Sequence, residues 1–292
     1  YMRQLGDKVP KNTDKLFVVN RQDQYLGTLS LASLVTNDTS EIVAEVMSLN
    51  VQPIDANTKD SEVARQFEQY DLISAPVVDE QGRLLGRITI DDIVDVIREE
   101  GEHQFMSQAG LSEDEDMFAP VLISAQKRAV WLGINLMTAL MASWVIGLFE
   151  ATIEKIVALA VLMPIVASMG GIAGSQTLTL TIRGIALGQL SSSNTRWLVY
   201  KEFAVGAINS MVWAMVVAAI AGFWFGDAKL ALLIAVAMSV NLIVAAATGT
   251  MLPILLDKLG IDPALAGSVL LTTVTDIVGF FAFLGLATIF LL

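Results

Sequence analysis

Five stretches, near residues 130–149, 156–182, 198–225, 230–256 and 264–292, are each apolar for about 20 residues or more, the length a helix needs to cross a hydrocarbon core of ~30 Å. No soluble core could absorb five such segments in succession, so the second half of the chain is expected to be a bundle of membrane helices. Ala, Gly, Ser and Thr on their neutral faces suit close helix packing in lipid. Trp131, Trp144, Trp197 and Trp224 fall near the expected ends, where interfacial tryptophan is common. Charge follows the same division. Residues 1–120 hold 10 Lys+Arg and 23 Asp+Glu, a net of −13, whereas residues 121–292 hold 8 and 7, a net of +1. The two regions therefore have different solvents. Lys127, Arg128, Arg183, Arg196, Lys201 and Lys258 fall on the N-terminal side of the spans, against Lys155 and Lys229 on the other. By the positive-inside rule the N-terminal module is expected in the cytoplasm of a multi-pass inner-membrane protein.

An acidic module argues against nucleic acid as a partner and favours cations. The chain has no cysteine, which excludes disulfides and thiolate metal sites and leaves hard oxygen ligands. No nucleophile–base arrangement is visible and the single histidine, His103, leaves little acid–base machinery, so the chain is not expected to be an enzyme. It opens on Tyr1, not methionine, and is read as a fragment of a longer protein.

Polar residues inside the spans carry the functional signal. In the fifth, Ser268, Thr272, Thr275 and Gly279 recur at the spacing of one helical face, with Asp276 beside them near the middle of the segment. A carboxylate there costs ~2.5–3.5 kcal/mol on insertion scales, so Asp276 should face protein or water and mark an ion path. In the second, Pro164 with Gly170, Gly171 and Gly174 reads equally well as a broken helix lining a cavity or as a site of close helix contact. Asn241, Thr248 and Thr250 in the fourth read as interhelical hydrogen bonds.

The soluble half repeats itself at an offset of 59 residues. Val18-Val19-Asn20 aligns with Val77-Val78-Asp79, Leu26-Gly27 with Leu85-Gly86, Ser30 with Thr89 and Val35 with Val94. Each copy reads strand, polar turn, strand, helix, and the first lacks the front half that precedes the second. This resembles a pair of CBS domains. In such pairs a Thr/Ser-x-x-Asp motif contacts adenine nucleotides. Thr89 and Asp92 match it, Ser30-Leu-Ala-Ser33 lacks the acid, and a helix N-cap explains Thr89 and Asp91 equally well. Beyond it, residues 91–116 hold ten acids, with Asp92, Asp95, Glu99 and Glu102 on one helical face. That run reads either as a solvated surface or as carboxylates whose repulsion a divalent ion would relieve.

A truncated CBS pair, an acidic connecting helix, Gly-Gly-x-x-Gly-x-Gln in the second span and Thr-Asp-x-x-Gly in the fifth resemble, in this order, the MgtE family of magnesium channels and transporters. The resemblance implies an α+β chain, with a cytosolic CBS-type α/β module followed by an all-α five-helix transmembrane domain. Its parts would be the C-terminal half of a first CBS domain (1–34), a second CBS domain (35–104), an acidic connecting helix (105–128) and the membrane domain (129–292). It further implies a homodimer in a lipid membrane that takes Mg²⁺ into the cytoplasm through a central pore. Asp276 would be the pore acid and Asp262 an acid at the cytosolic mouth, although Asp262-Pro263 is equally a helix start. Asp71, Asp92, Asp95 and Glu100 would hold regulatory Mg²⁺ that closes the pore, and Thr89 and Asp92 leave room for ATP or another adenine nucleotide. His103 and Gln104 stand where the family has acids, Ile172 replaces an Asn in the glycine-rich motif, and Ser268 replaces an Asn near the fifth-span site. A transporter of Co²⁺ or another divalent ion, and a non-conducting membrane sensor, are the alternative readings.

Overall fold

A computed structural model describes residues 13–38, 40–111, 115–190 and 193–292, which fall into two compact units, up to Glu102 and from His103. In the first unit, β1 (Lys15–Val19) and β2 (Tyr25–Ser30) form an antiparallel hairpin, followed by the short helices α1 (Leu31–Thr36) and α2 (Val43–Val46). A second sheet has the order β3 (Ile54–Asp55), β4 (Ser74–Val78), β5 (Leu84–Thr89), with β3 parallel and β5 antiparallel to β4. Between β3 and β4, helix α3 (Asp60–Gln69) lays Val63, Ala64 and Phe67 against Ile54, Ala75 and Ile93 to make the core.

The 59-residue repeat is a repeat of hydrogen bonds. Val18 pairs with Gly27 and Val19 with Tyr25 across a bulge, and Val77 pairs with Gly86 and Val78 with Leu84 across the equivalent bulge. Asn20 Oδ1 accepts from the backbone N–H of Gln22 and Gln24 at 2.9 Å each, as Asp79 Oδ1 does from Gln81 and Arg83 at 3.0 and 2.8 Å. Each turn needs a left-handed residue: the second copy uses Gly82 at φ 74°, the first uses Asp23 at φ 60°, one of the few residue types that tolerates it.

Helix α4 (Ile90–Gln108) follows β5 and ends where Gly110 turns left-handed at φ 71°. Pro120 then starts α5 (Val121–Gly147), so the 105–128 stretch assigned to a connecting helix is shared between the end of α4, a non-helical 115–120 segment and the start of α5. Gly110 is favoured in the left-handed conformation and the residue before a proline avoids the helical one, which accounts for the break. Glu115 is tied down there, accepting from Arg128 Nε at 2.9 Å. The remaining helices are α6 (Glu150–Lys155), α7 (Ala158–Ala186), α8 (Thr195–Phe225), α9 (Ala228–Lys258) and α10 (Pro263–Phe290). Among the described residues five helices, α5 and α7 to α10, are long and apolar enough to cross a membrane.

Helix α9 is the centre of this unit, packed on α7, α8 and α10. Ile234, Ala237 and Leu230 meet Leu159, Leu162 and Val166 of α7 and Phe283, Leu284 and Ala287 of α10. Asp227 caps α9 through Lys229 N at 2.8 Å, directly after left-handed Gly226 ends α8. Small residues let the backbones approach: a Cβ on Gly249 of α9 would stand 2.6 Å from the Gly174 carbonyl oxygen of α7.

Candidate ion path in the helical unit

Helix α7 runs unbroken through Pro164 and the three glycines. Gly170 and Gly174 are buried and give close contact: a Cβ on Gly174 would come 2.8 Å from Leu271 of α10, whereas one on Gly171 would meet nothing. Close packing, not a break, is what the glycines provide. On the opposite side, Ser168, Ser175 and Thr179 recur along one exposed face of the same helix.

Helix α10 presents its polar residues to two environments. Thr275 and Gly279 are buried, while Thr272 is exposed and Asp276 partly exposed. The stripe expected to share one face therefore straddles the edge of the helix's packed surface, which separates positions only tens of degrees apart. The threonine hydroxyls donate along their own helix, Thr272 to Ser268 O at 2.9 Å and Thr275 to Thr272 O at 3.1 Å, which leaves Asp276 as the ionisable group of this helix at mid-span. At the other end, Asp262 uses both carboxylate oxygens. Oδ1 accepts from Ala264 N at 2.8 Å, capping α10 with Pro263 in its first turn, and Oδ2 lies 3.0 Å from His103 Nε2. His103 is thus half-buried against a carboxylate, not a free surface residue.

A second acid within a span, this one buried, was not singled out by sequence patterning. Glu202 of α8 is 5% exposed; Lys201 Nζ donates to its Oε1 at 2.8 Å and Thr177 Oγ1 of α7 to its Oε2 at 3.4 Å. It borders a cavity of about 220 Å³ between α7 and α8 over α9, whose polar lining is Gln176, Thr177, Lys201, Glu202 and Asn209. Both residues fall inside the expected 198–225 span, where Lys201 serves in the sequence only as a marker of the side of the membrane, and α8, starting at Thr195, holds them near its beginning. The rule applied to Asp276, an acid within an apolar segment, would have found Glu202.

In the first unit, Thr89 and Asp92 are joined to each other: Asp92 Oδ2 accepts from Thr89 N at 3.2 Å and from its hydroxyl at 3.1 Å. The same hydroxyl faces Asp91, and that hydrogen bond holds the Asp91 carboxyl below the usual carboxylate range. Ser30, its counterpart, caps α1 by accepting from Ser33 N at 2.9 Å. Asp71 follows α3 in the left-handed region at φ 49° and is exposed. Asp95 and Glu102 lie 3.6 and 3.9 Å from Arg98, which stands about one turn from each at the edge of the acidic face. Among the described residues no three His, Cys, Asp or Glu side chains gather closely enough to hold a metal, so Asp71, Asp92, Asp95 and Glu100 form no such group within one chain. Glu113 and Asp114 of the acidic run lie outside the described residues.

Residues 163–286 match the family model described as MgtE, divalent cation transporter, and residues 43–99 match the CBS domain. The magnesium transporter MgtE of Bacillus subtilis (strain 168) is 32% identical over 284 residues, covering 97% of this chain and 63% of that protein. Magnesium transporter MgtE of Thermus thermophilus is 32% identical over 279 residues, covering 94% and 62%. A crystal structure of the cytosolic domain of the Mg²⁺ channel MgtE in complex with ATP is 38% identical, covers 32% of this chain and 39% of that one, and superposes with a TM-score of 0.31. The chain spans a little under two thirds of the length of these curated relatives. A CBS domain is thus followed, among the described residues, by five apolar helices, and the last four of them carry the region, residues 163–286, that belongs to the MgtE family of divalent cation transporters.

Proposed function

We propose that this chain conducts Mg²⁺ across a membrane, with Asp276 as the carboxylate that meets the ion. The observation that carries the reading is Asp276 itself, a partly exposed acid at mid-span of α10 inside the matched region. A carboxylate that meets a largely hydrated ion suits Mg²⁺, which keeps several of its waters. The exposed Ser168, Ser175, Thr179 and Thr272 support a pore between two copies, because hydroxyls and a carboxylate on the outer surface of a membrane bundle need protein or water against them. The assembly is then a homodimer, multi-pass in the inner membrane with the CBS module in the cytoplasm, and it acts by conduction, not catalysis.

Asp262 stands at the cytosolic mouth in this reading. Asp71, Asp92, Asp95 and Glu100 supply the hard oxygen donors that Mg²⁺ takes. A closing site built from them draws on carboxylates of more than one chain, since one chain gathers no three of them. An adenine nucleotide at Thr89 and Asp92 would displace the hydrogen bonds that now join those two residues.

The test is Mg²⁺ uptake into liposomes holding the purified chain, read with a trapped Mg²⁺-sensitive dye. Asp276→Ala is expected to abolish uptake, and unchanged uptake would remove Asp276 from the path. Competition by Co²⁺ in the same vesicles reports the preferred ion, and Mg²⁺ on the CBS side reports closure.

A further inference from the structure

One polar side chain in the helical unit is buried more deeply than any hydroxyl-lined surface requires and has no part in the path described above. Asn241 of α9 is fully buried where α9 crosses α7 and α10. Its Nδ2 donates to the Val166 carbonyl of α7 at 2.8 Å. Its Oδ1 is, among the described residues, the buried side-chain atom without a hydrogen-bond partner.

The amide sits in a notch cut by glycines of two other helices. A Cβ on Gly170 of α7 would overlap Nδ2, and a Cβ on Gly279 of α10 would come 2.7 Å from Nδ2 and 3.0 Å from Cγ. Gly279 lies three residues, about one turn, beyond Asp276 on the same helix. Packing alone gives no reason for an amide here. A leucine of similar shape would fill the notch and leave no buried acceptor unpaired. What asparagine adds is a hydrogen bond to the α7 backbone by a group that also touches the turn bearing Asp276. Rotation or sliding of α10 drives Gly279 against an amide that α7 holds in place.

We propose that Asn241 is a positioning residue for Asp276, fixing the height and rotation of α10 relative to α7. The proposal rests on Asp276 being the conducting carboxylate. Asn241→Leu separates position from stability. It is expected to melt at or above the wild-type temperature, while the Mg²⁺ concentration for half-maximal uptake rises roughly 10–100-fold, the usual effect of removing a residue that orients a metal-binding group. Wild-type half-saturation in Asn241→Leu overturns the proposal. Should that variant fail to fold, Gly279→Ala with Asn241 intact supplies the same uptake measurement, again with raised half-saturation expected.

A melting cycle with no transport readout tests the notch. Gly279→Ala pushes its methyl into the amide, and Asn241→Ala vacates that space, so the double variant is expected to melt above Gly279→Ala alone. Additive losses overturn the geometry. If the wild type itself takes up no Mg²⁺, the transport reading and the positioning role both fall, whereas the melting cycle still decides whether the amide seats against Gly279.

Discussion

Gly249→Ala puts the helix packing to a quantitative test. The new methyl would stand 2.6 Å from the Gly174 carbonyl oxygen, 3.0 Å from Thr177 Cβ and 3.2 Å from Leu178 N, two of the three being backbone atoms of α7. Backbone cannot swing aside as a side-chain tip can, so the helices themselves must move. Reaching the 3.4 Å of an ordinary contact requires α7 and α9 to part by about 0.8 Å at this level. Overpacking a well-filled core costs ~1–3 kcal/mol, and a rigid obstacle puts this case toward the upper end. At about 2–4 °C per kcal/mol for a unit of this size, the melting temperature in detergent should fall by roughly 5–10 °C. Gly133→Ala in α5 is the matched control, since its Cβ would meet nothing within 4 Å. It should melt at or slightly above the wild type, because alanine in a helix interior gains ~0.5–1 kcal/mol over glycine. Equal melting of the two variants by fluorescence-detected size exclusion would refute the close approach of α7 and α9.

Removing the positive partner of the buried pair should cost more than removing both. Lys201→Met leaves Glu202 buried and uncompensated, ~3–5 kcal/mol for such a loss and toward the low end because Lys201 is partly exposed, and adding Glu202→Leu should restore most of the melting temperature. Asp262→Ala should lower thermal stability by ~1 kcal/mol through loss of the α10 cap, while Asp262→Asn keeps the cap and changes only the charge facing His103, so uptake that falls in both variants separates charge from capping. The Asp79 carboxyl is held below its usual range first by the Arg83 backbone N–H, then by the Arg83 side chain and Gln81 N–H. A group whose folded pKa is depressed stabilises above its unfolded value near ~3.9 and loses that contribution as pH falls through the folded one. Circular dichroism during acid titration should therefore show a weaker dependence below about pH 4 in Asp79→Asn than in the wild type.

The parts of this fold that could be read from sequence are those in which one residue type answers one local demand. The 59-residue offset was visible because both hairpins need a side-chain acceptor, Asn20 or Asp79, and a residue that turns left-handed, Asp23 or Gly82, at the same place. Span length announced the five helices, because no other structure satisfies twenty apolar residues in lipid. Asp276 stood out for the same reason. Periodicity could not say where the packed surface of α10 ends, since Thr275 and Thr272 differ little in angle yet one is buried and the other exposed. That boundary is set by which neighbours α9 and α7 bring, a tertiary fact. Thr250 shows the same limit: it donates to Ala246 of its own helix, whereas Asn241, read alongside it, does reach across to α7. An amide is long enough to span two backbones at a glycine crossing and a threonine hydroxyl is not. The pairing of Asn241 with Gly170 and Gly279, 71 and 38 residues away, is what no local pattern in the sequence encodes. Glycines that read in a linear text equally as a break or as a close contact are, in three dimensions, the space in which an amide of α9 reaches the backbone of α7 beside α10.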